Sequence, residues 1–228
     1  MRKAGSVNAE RYSEVLGETV VRLQKHRRVF VQRAEAQRVT ILYWTAACLA
    51  CVFVLVAIHE TGHYLAGWAG GIPAREMRIR LLTFPQHVAL FVNGAWVSPV
   101  SPDDFEKYLA KMQTDLPTPA RLFLYTAGGF FMETLVAVGI VCVALALGYR
   151  WPAPVVAVCS SWLLVSYVLL MDLPHTMKTG VPCGDLSGLW KIARAPTGVL
   201  AFVLFAVRAL LLWASLAEPG ARLDSAGM

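Results

Sequence analysis

The chain has 228 residues, of which 57% are hydrophobic and 16% charged, with a mean hydropathy of +0.53 and a formal net charge of +6. Soluble domains average about 25% charged residues, so this composition excludes an ordinary water-soluble globule and provides for several membrane spans. The positive excess reads as membrane orientation and lipid-surface charge, and no aromatic-basic motif points to nucleic acid.

Residues 1–38 are polar and basic, with Arg22, Lys25, Arg27, Arg28, Arg33 and Arg38 crowding the approach to the first apolar run. No short apolar core with a small-residue cleavage site follows the first charges, so no signal peptide is expected. Apolar Val20, Val21, Leu23, Val29, Phe30 and Val31 are interleaved with the charges, which suits a surface-lying or juxtamembrane amphipathic helix.

Val39 to Ile58 is twenty residues without a charge, enough to cross about 30 Å as a helix. The helix is expected to continue to about Trp68, where Gly67, Gly70 and Gly71 end it. Near its end stands His59-Glu60-Thr61-Gly62-His63. Residues four apart share a helix face, so His59 and His63 can aim both imidazoles at one metal ion. Glu60 can reach a water on that ion. Two neutral nitrogens, a carboxylate base and an open position are what a zinc hydrolase needs. The bland alternative is a helix end with scattered polar residues. Ionisable groups at bilayer depth cost about 2.5–3.5 kcal/mol each on insertion scales, which weighs against that alternative.

From 72 to 100 the pattern changes. Met77-Arg78-Ile79-Arg80-Leu81 alternates, Phe84-Pro85 interrupts, and Val88–Val92 runs into Asn93-Gly94. Two or three short strands are expected, forming a small membrane-associated hairpin region. Such strands could cap the metal site or offer an edge to an extended peptide. Residues 101–120 read as a short amphipathic helix, with Asp103 and Asp104 in its first turn and Pro117 and Pro119 closing it.

Further spans are expected at 122–149, 151–172 and 195–216, after which 218–228 form a tail. The fold class is therefore an all-α polytopic membrane protein with about four transmembrane helices, residues 39–217 forming its embedded domain. Four spans put both termini on one side, and the basic N-terminal segment places them in the cytoplasm. The ends of the first and third spans then share the other side, so His59 and His63 can meet the 172–185 region. Of the five cysteines, Cys48, Cys51, Cys142 and Cys159 lie in apolar runs, and no disulfide framework is expected.

A catalytic zinc usually has three protein ligands. The candidates for the third are Asp172, His175, Cys183 and Asp185. Asp185 ranks first, because Gly184, Ser187 and Gly188 around it permit close backbone approach, with Asp172 next. The structural alternative for Asp185 is the N-cap of a short helix over Leu186–Ala193.

His59-Glu60-Thr61-Gly62-His63 followed by Gly70-Gly71-Ile72-Pro73 resembles the first signature of the site-2 protease family of intramembrane zinc metalloproteases. Gly129-Phe130-Phe131-Met132-Glu133 is similar to that family's central G-x-x-x-N segment, with Glu133 where Asn is common. Met171-Asp172-Leu173-Pro174 and Gly184-Asp185-Leu186 resemble its N-x-x-P and Asp-Gly signature, with Met171 in place of the Asn and Leu186 in place of the Gly. The resemblance covers about residues 40–190. It implies one Zn2+ per chain held by His59, His63 and Asp185, with Glu60 as catalytic base and substrate contact at Gly129 and Glu133. It further implies a multi-pass protein, expected in a bacterial cell membrane, that cuts a transmembrane segment of another protein.

Two rivals come from other classes. A non-proteolytic scaffold would keep the ligands but not need Glu60. A transporter would use Glu133 and Arg208 inside the spans, but no inverted repeat or pair of broken helices supports that use.

Overall fold

The computed structural model describes residues 4–149, 151–180 and 184–217. The expected tail at 218–228 lies outside these residues, as does Cys183. By internal contacts the chain divides into two units, residues 1–49 and 50–228. Helix α1 covers Ala4–Gly70. In the first unit Val39, Ile41, Leu42 and Tyr43 expose their apolar side chains, as residues facing lipid do.

The second unit carries the remaining elements. Strands β1 (Met77–Arg80), β2 (His87–Val92) and β3 (Ala95–Val97) follow α1. Then come α2 (Pro102–Asp115), α3 (Pro119–Ala146), α4 (Pro152–Ser166), a π-helical segment (Tyr167–Asp172), α5 (Leu173–Thr179), α6 (Asp185–Ile192) and α7 (Arg194–Leu216). Among the described residues, four helical stretches are long and apolar enough to cross a membrane: Gln37–Gly70, Pro119–Ala146, Pro152–Thr179 and Arg194–Leu216. The expected four-span helical architecture is thus present. The third span runs past the expected end at 172: the π-helical segment Tyr167–Asp172 leads without a break into α5, and Pro174 lies just beyond that segment within one continuous helical stretch.

The three strands form one antiparallel sheet in the order β1-β2-β3. Met77 pairs with Leu90, and Val92 pairs with Ala95 across the second turn. Asn93 (φ 48°) and Gly94 (φ 86°) both take the positive φ that a two-residue hairpin turn needs to match strand twist. The sheet's apolar face (Met77, Val88, Leu90, Val97) packs with Ile72, with Tyr108, Met112 and Leu116 at α2, and with Tyr125 of α3. Lys111 on α2 bonds Glu76 at 2.7 Å and pairs with Asp115 at 2.9 Å, which ties α2 to the approach to β1.

Two further clusters join the spans. Ala127 and Phe130 of α3 meet Leu164, Val168, Leu189, Leu200 and Leu204. Ala137, Val141 and Ala144 meet Ala153, Val156, Ala157 and Leu211. Lipid tails are as apolar as leucine, so these contacts stabilise through packing rather than through escape from water. The α1 and α3 backbones approach closely at Gly62 and Gly128. A Cβ on Gly128 would stand 2.7 Å from both the Gly62 oxygen and the Ala66 Cβ. Small residues at that crossing let the two backbones touch, which brings the next residue of α3, Gly129, against the histidines of α1.

Candidate metal centre

The late turns of α1 present His59 and His63 on one face, as helical spacing requires. Their Nε2 atoms are 3.1 Å apart. Asp185, the first residue of α6, points Oδ2 at the same spot, 2.9 Å from His59 Nε2 and 3.2 Å from His63 Nε2. The three donors come from residues up to 126 positions apart in sequence. A metal with bonds of about 2.0–2.2 Å in tetrahedral geometry separates its ligand atoms by about 3.3–3.6 Å, a few tenths of an ångström more than the separations here. The observed triangle is close to that.

The proton positions strengthen the fit. His63 donates its Nδ1–H to the Tyr125 carbonyl at 2.9 Å, so its Nε2 carries a lone pair. His59 turns Nδ1 towards the Glu133 carboxylate, 3.7 Å away, which favours a proton on Nδ1 and again leaves a lone pair on Nε2. Two lone pairs and a carboxylate oxygen thus face one another. Such a group repels itself unless a cation lies between its members.

The α3 backbone supplies the space. A Cβ on Gly129 would fall 2.5 Å from His59 Nε2 and 2.6 Å from His63 Nε2. Only a residue without a side chain leaves the donors' convergence point clear. Gly129, which the resemblance marks for substrate contact, therefore borders the donors themselves. Glu60 follows His59 directly and is buried.

Asp172 does different work. Its Oδ2 accepts the Ser187 N–H of α6 at 2.9 Å and its Oδ1 accepts the Thr176 hydroxyl at 3.3 Å. It caps the helix that delivers Asp185, whereas Asp185 itself lies past the N-cap, which is Gly184. Tyr167 adds a second hold, its hydroxyl oxygen accepting the Asp185 N–H at 3.3 Å. His175 is exposed on α5 and takes no place in the donor triangle.

Glu133 faces inward. It is 1% exposed, and its Oε1 accepts the Ser160 hydroxyl at 2.9 Å and Arg208 Nη2 at 2.8 Å. The substrate contact expected of it has no surface to act from. The pairing of Glu133 with Arg208 also removes the observation that motivated a transporter. Sequence reasoning missed Tyr125, Tyr167 and Ser160, which contribute a backbone carbonyl and two hydroxyls. No spacing announces such roles, because each depends on a contact between different helices.

Residues 47–217 match the family model described as Peptidase family M50. No curated protein and no solved structure matches the chain.

Proposed function

The chain belongs to peptidase family M50, the site-2 protease family, so it is an integral membrane metallopeptidase of that type, and from this premise we propose an intramembrane zinc endopeptidase that cuts a transmembrane segment of another protein. The observation that carries this reading is the convergence of His59 Nε2, His63 Nε2 and Asp185 Oδ2 within 4.8 Å of one another, with Glu60 on the same helical turn.

His59, His63 and Asp185 would hold the ion, which supplies Lewis acidity and makes water a competent nucleophile near neutral pH. The Glu60 carboxylate takes the proton from the attacking water and returns it to the leaving amide nitrogen as the peptide bond breaks. Gly129 keeps the space open. Glu60 and His63 are buried, so their charges act in a lower dielectric than bulk water. A substrate helix has its backbone paired in lipid and must unwind before a peptide bond is reachable. An outer edge of the small sheet, at β1 or β3, is suited to hold the unwound piece as an added strand. The basic segment before the first span places the termini in the cytoplasm on the positive-inside rule.

The test begins with metal. In mild detergent the wild type should carry about one zinc per chain, as expected for a three-ligand site, and His59→Ala and Asp185→Ala should lose it. Glu60→Gln should keep the zinc and lose cleavage of single-span membrane proteins co-reconstituted in vesicles, read as new termini by mass spectrometry. A folded wild type that takes up no zinc would sink the reading. If Glu60→Gln cleaves as the wild type does, the hydrolytic role of Glu60 falls and a scaffold becomes the better description.

A further inference from the structure

We propose that Glu133 is a positioning residue for the metal centre, clamped by Ser160 and Arg208 so that its free oxygen orients the His59 ring. The inference rests on the metal reading above and assigns work to three residues outside the ligand set.

The carboxylate is divided in its contacts. Ser160 Oγ–H and Arg208 Nη2–H both end on Oε1, at 2.9 Å and 2.8 Å. Oε2 is the oxygen that faces His59 Nδ1 at 3.7 Å. Two donors on one oxygen fix the plane of the carboxylate and leave the other oxygen for the imidazole. Each of the four spans supplies one member: His59 from the first, Glu133 from the second, Ser160 from the third and Arg208 from the fourth. Glu133 also lies one helical turn beyond Gly129, so the residue that clears the donor pocket and the residue behind His59 share a face of α3.

Stability alone does not explain this arrangement. Glu133 is 1% exposed and Arg208 3%, and replacing a buried ion pair with well-packed apolar residues is often neutral or stabilising. Arg208 gains little else from its position, since its Nε and Nη1 have no hydrogen-bond partner among the described residues. Among the described residues its guanidinium hydrogen-bonds Glu133. An intramembrane charge held at such cost points to function, and the group within reach of this pair is a histidine of the donor triangle. The second imidazole is held at the same ring position by a hydrogen bond of 2.9 Å from His63 Nδ1 to the Tyr125 carbonyl. A carboxylate on the far nitrogen of a ligating histidine fixes its tautomer and raises its basicity, and loss of such a partner costs about 10–100-fold in metal affinity.

The experiment uses the full chain in detergent with cobalt(II) as the probe. Affinity is measured by chelator competition, and the ligand-field spectrum reports the geometry around the ion. Glu133→Gln keeps the shape and removes the charge. The double variant Glu133→Leu/Arg208→Met removes both charges, so no unpaired ion is left buried. Ser160→Ala is the mildest change and tests the clamp if either of the others fails to fold. Helix content and thermal melting check each protein. The expected result is a fall of about 10–100-fold in cobalt affinity for Glu133→Gln and for the double variant. A smaller fall is expected for Ser160→Ala, with a shifted spectrum and unchanged helix content in all three. Folded variants that bind cobalt with wild-type affinity and spectrum would overturn the positioning role and leave the metal reading standing. A wild type that binds no cobalt or zinc would overturn both.

Discussion

Asp172 Oδ2 accepts the backbone N–H of Ser187 at 2.9 Å, and by that bond one aspartate holds the helix on which the other sits. The two aspartates that compete for the metal on sequence grounds are thus separated by geometry. Asp185 Oδ2 is the atom within reach of both imidazoles. Asp185→Ala is expected to abolish zinc binding. Asp172→Ala should keep about one zinc per chain and lose about 1–2 kcal/mol of stability, the usual effect of removing a helix cap. Elemental analysis and thermal melting of both variants check this. Zinc lost in Asp172→Ala but kept in Asp185→Ala would reverse the assignment.

Gly129 gives a sharper test, because the change adds only a methyl group. Its Cβ would stand 2.5 Å and 2.6 Å from the two imidazole nitrogens, in the space a metal needs. Gly129→Ala should retain the helix, for which alanine is the better residue, and lose metal. Gly139 on the same helix has nothing within 4 Å of an added Cβ, so Gly139→Ala serves as the control and should keep both helix and metal. Equal zinc content in the two variants would show that the donors do not meet their ion where the triangle places it.

The sheet edge can be tested apart from the metal. In the order β1-β2-β3 the outer strands each have one side that pairs with no strand among the described residues. Successive residues on such a strand alternate between N–H groups aimed at the partner and away from it. Proline placed in turn at each position of Met77–Arg80 and Ala95–Val97 should leave the fold intact where the lost N–H points outward. If an edge holds substrate, some of these well-folded variants lose cleavage while keeping zinc. Full cleavage by every folded variant would remove the sheet from the mechanism.

Much of this architecture is legible in the sequence for local reasons. A twenty-residue uncharged run is helical in lipid because only a helix pairs its backbone groups within the segment itself, so the four spans follow from hydropathy. Asn93-Gly94 between apolar segments specifies a hairpin because few residues tolerate positive φ. His59 and His63 share a face because α-helical spacing puts them there. The family resemblance, carried by those five residues and the segments after them, agrees with the family match over residues 47–217.

Other features were decided only by tertiary structure. Whether Asp172 or Asp185 faces the histidines depends on how α6 docks, and both aspartates suit a cap or a ligand equally well in sequence. Glu133 reads as a surface for substrate until α4 and α7 close over it with Ser160 and Arg208. Gly128 and Gly129 are adjacent in the chain, yet one meets the backbone of α1 and the other borders the donor pocket. Sequence determines which elements form, because that depends on neighbours along the chain. Which atoms meet between elements depends on packing, where each helix rotation is settled by contacts from residues far away in sequence.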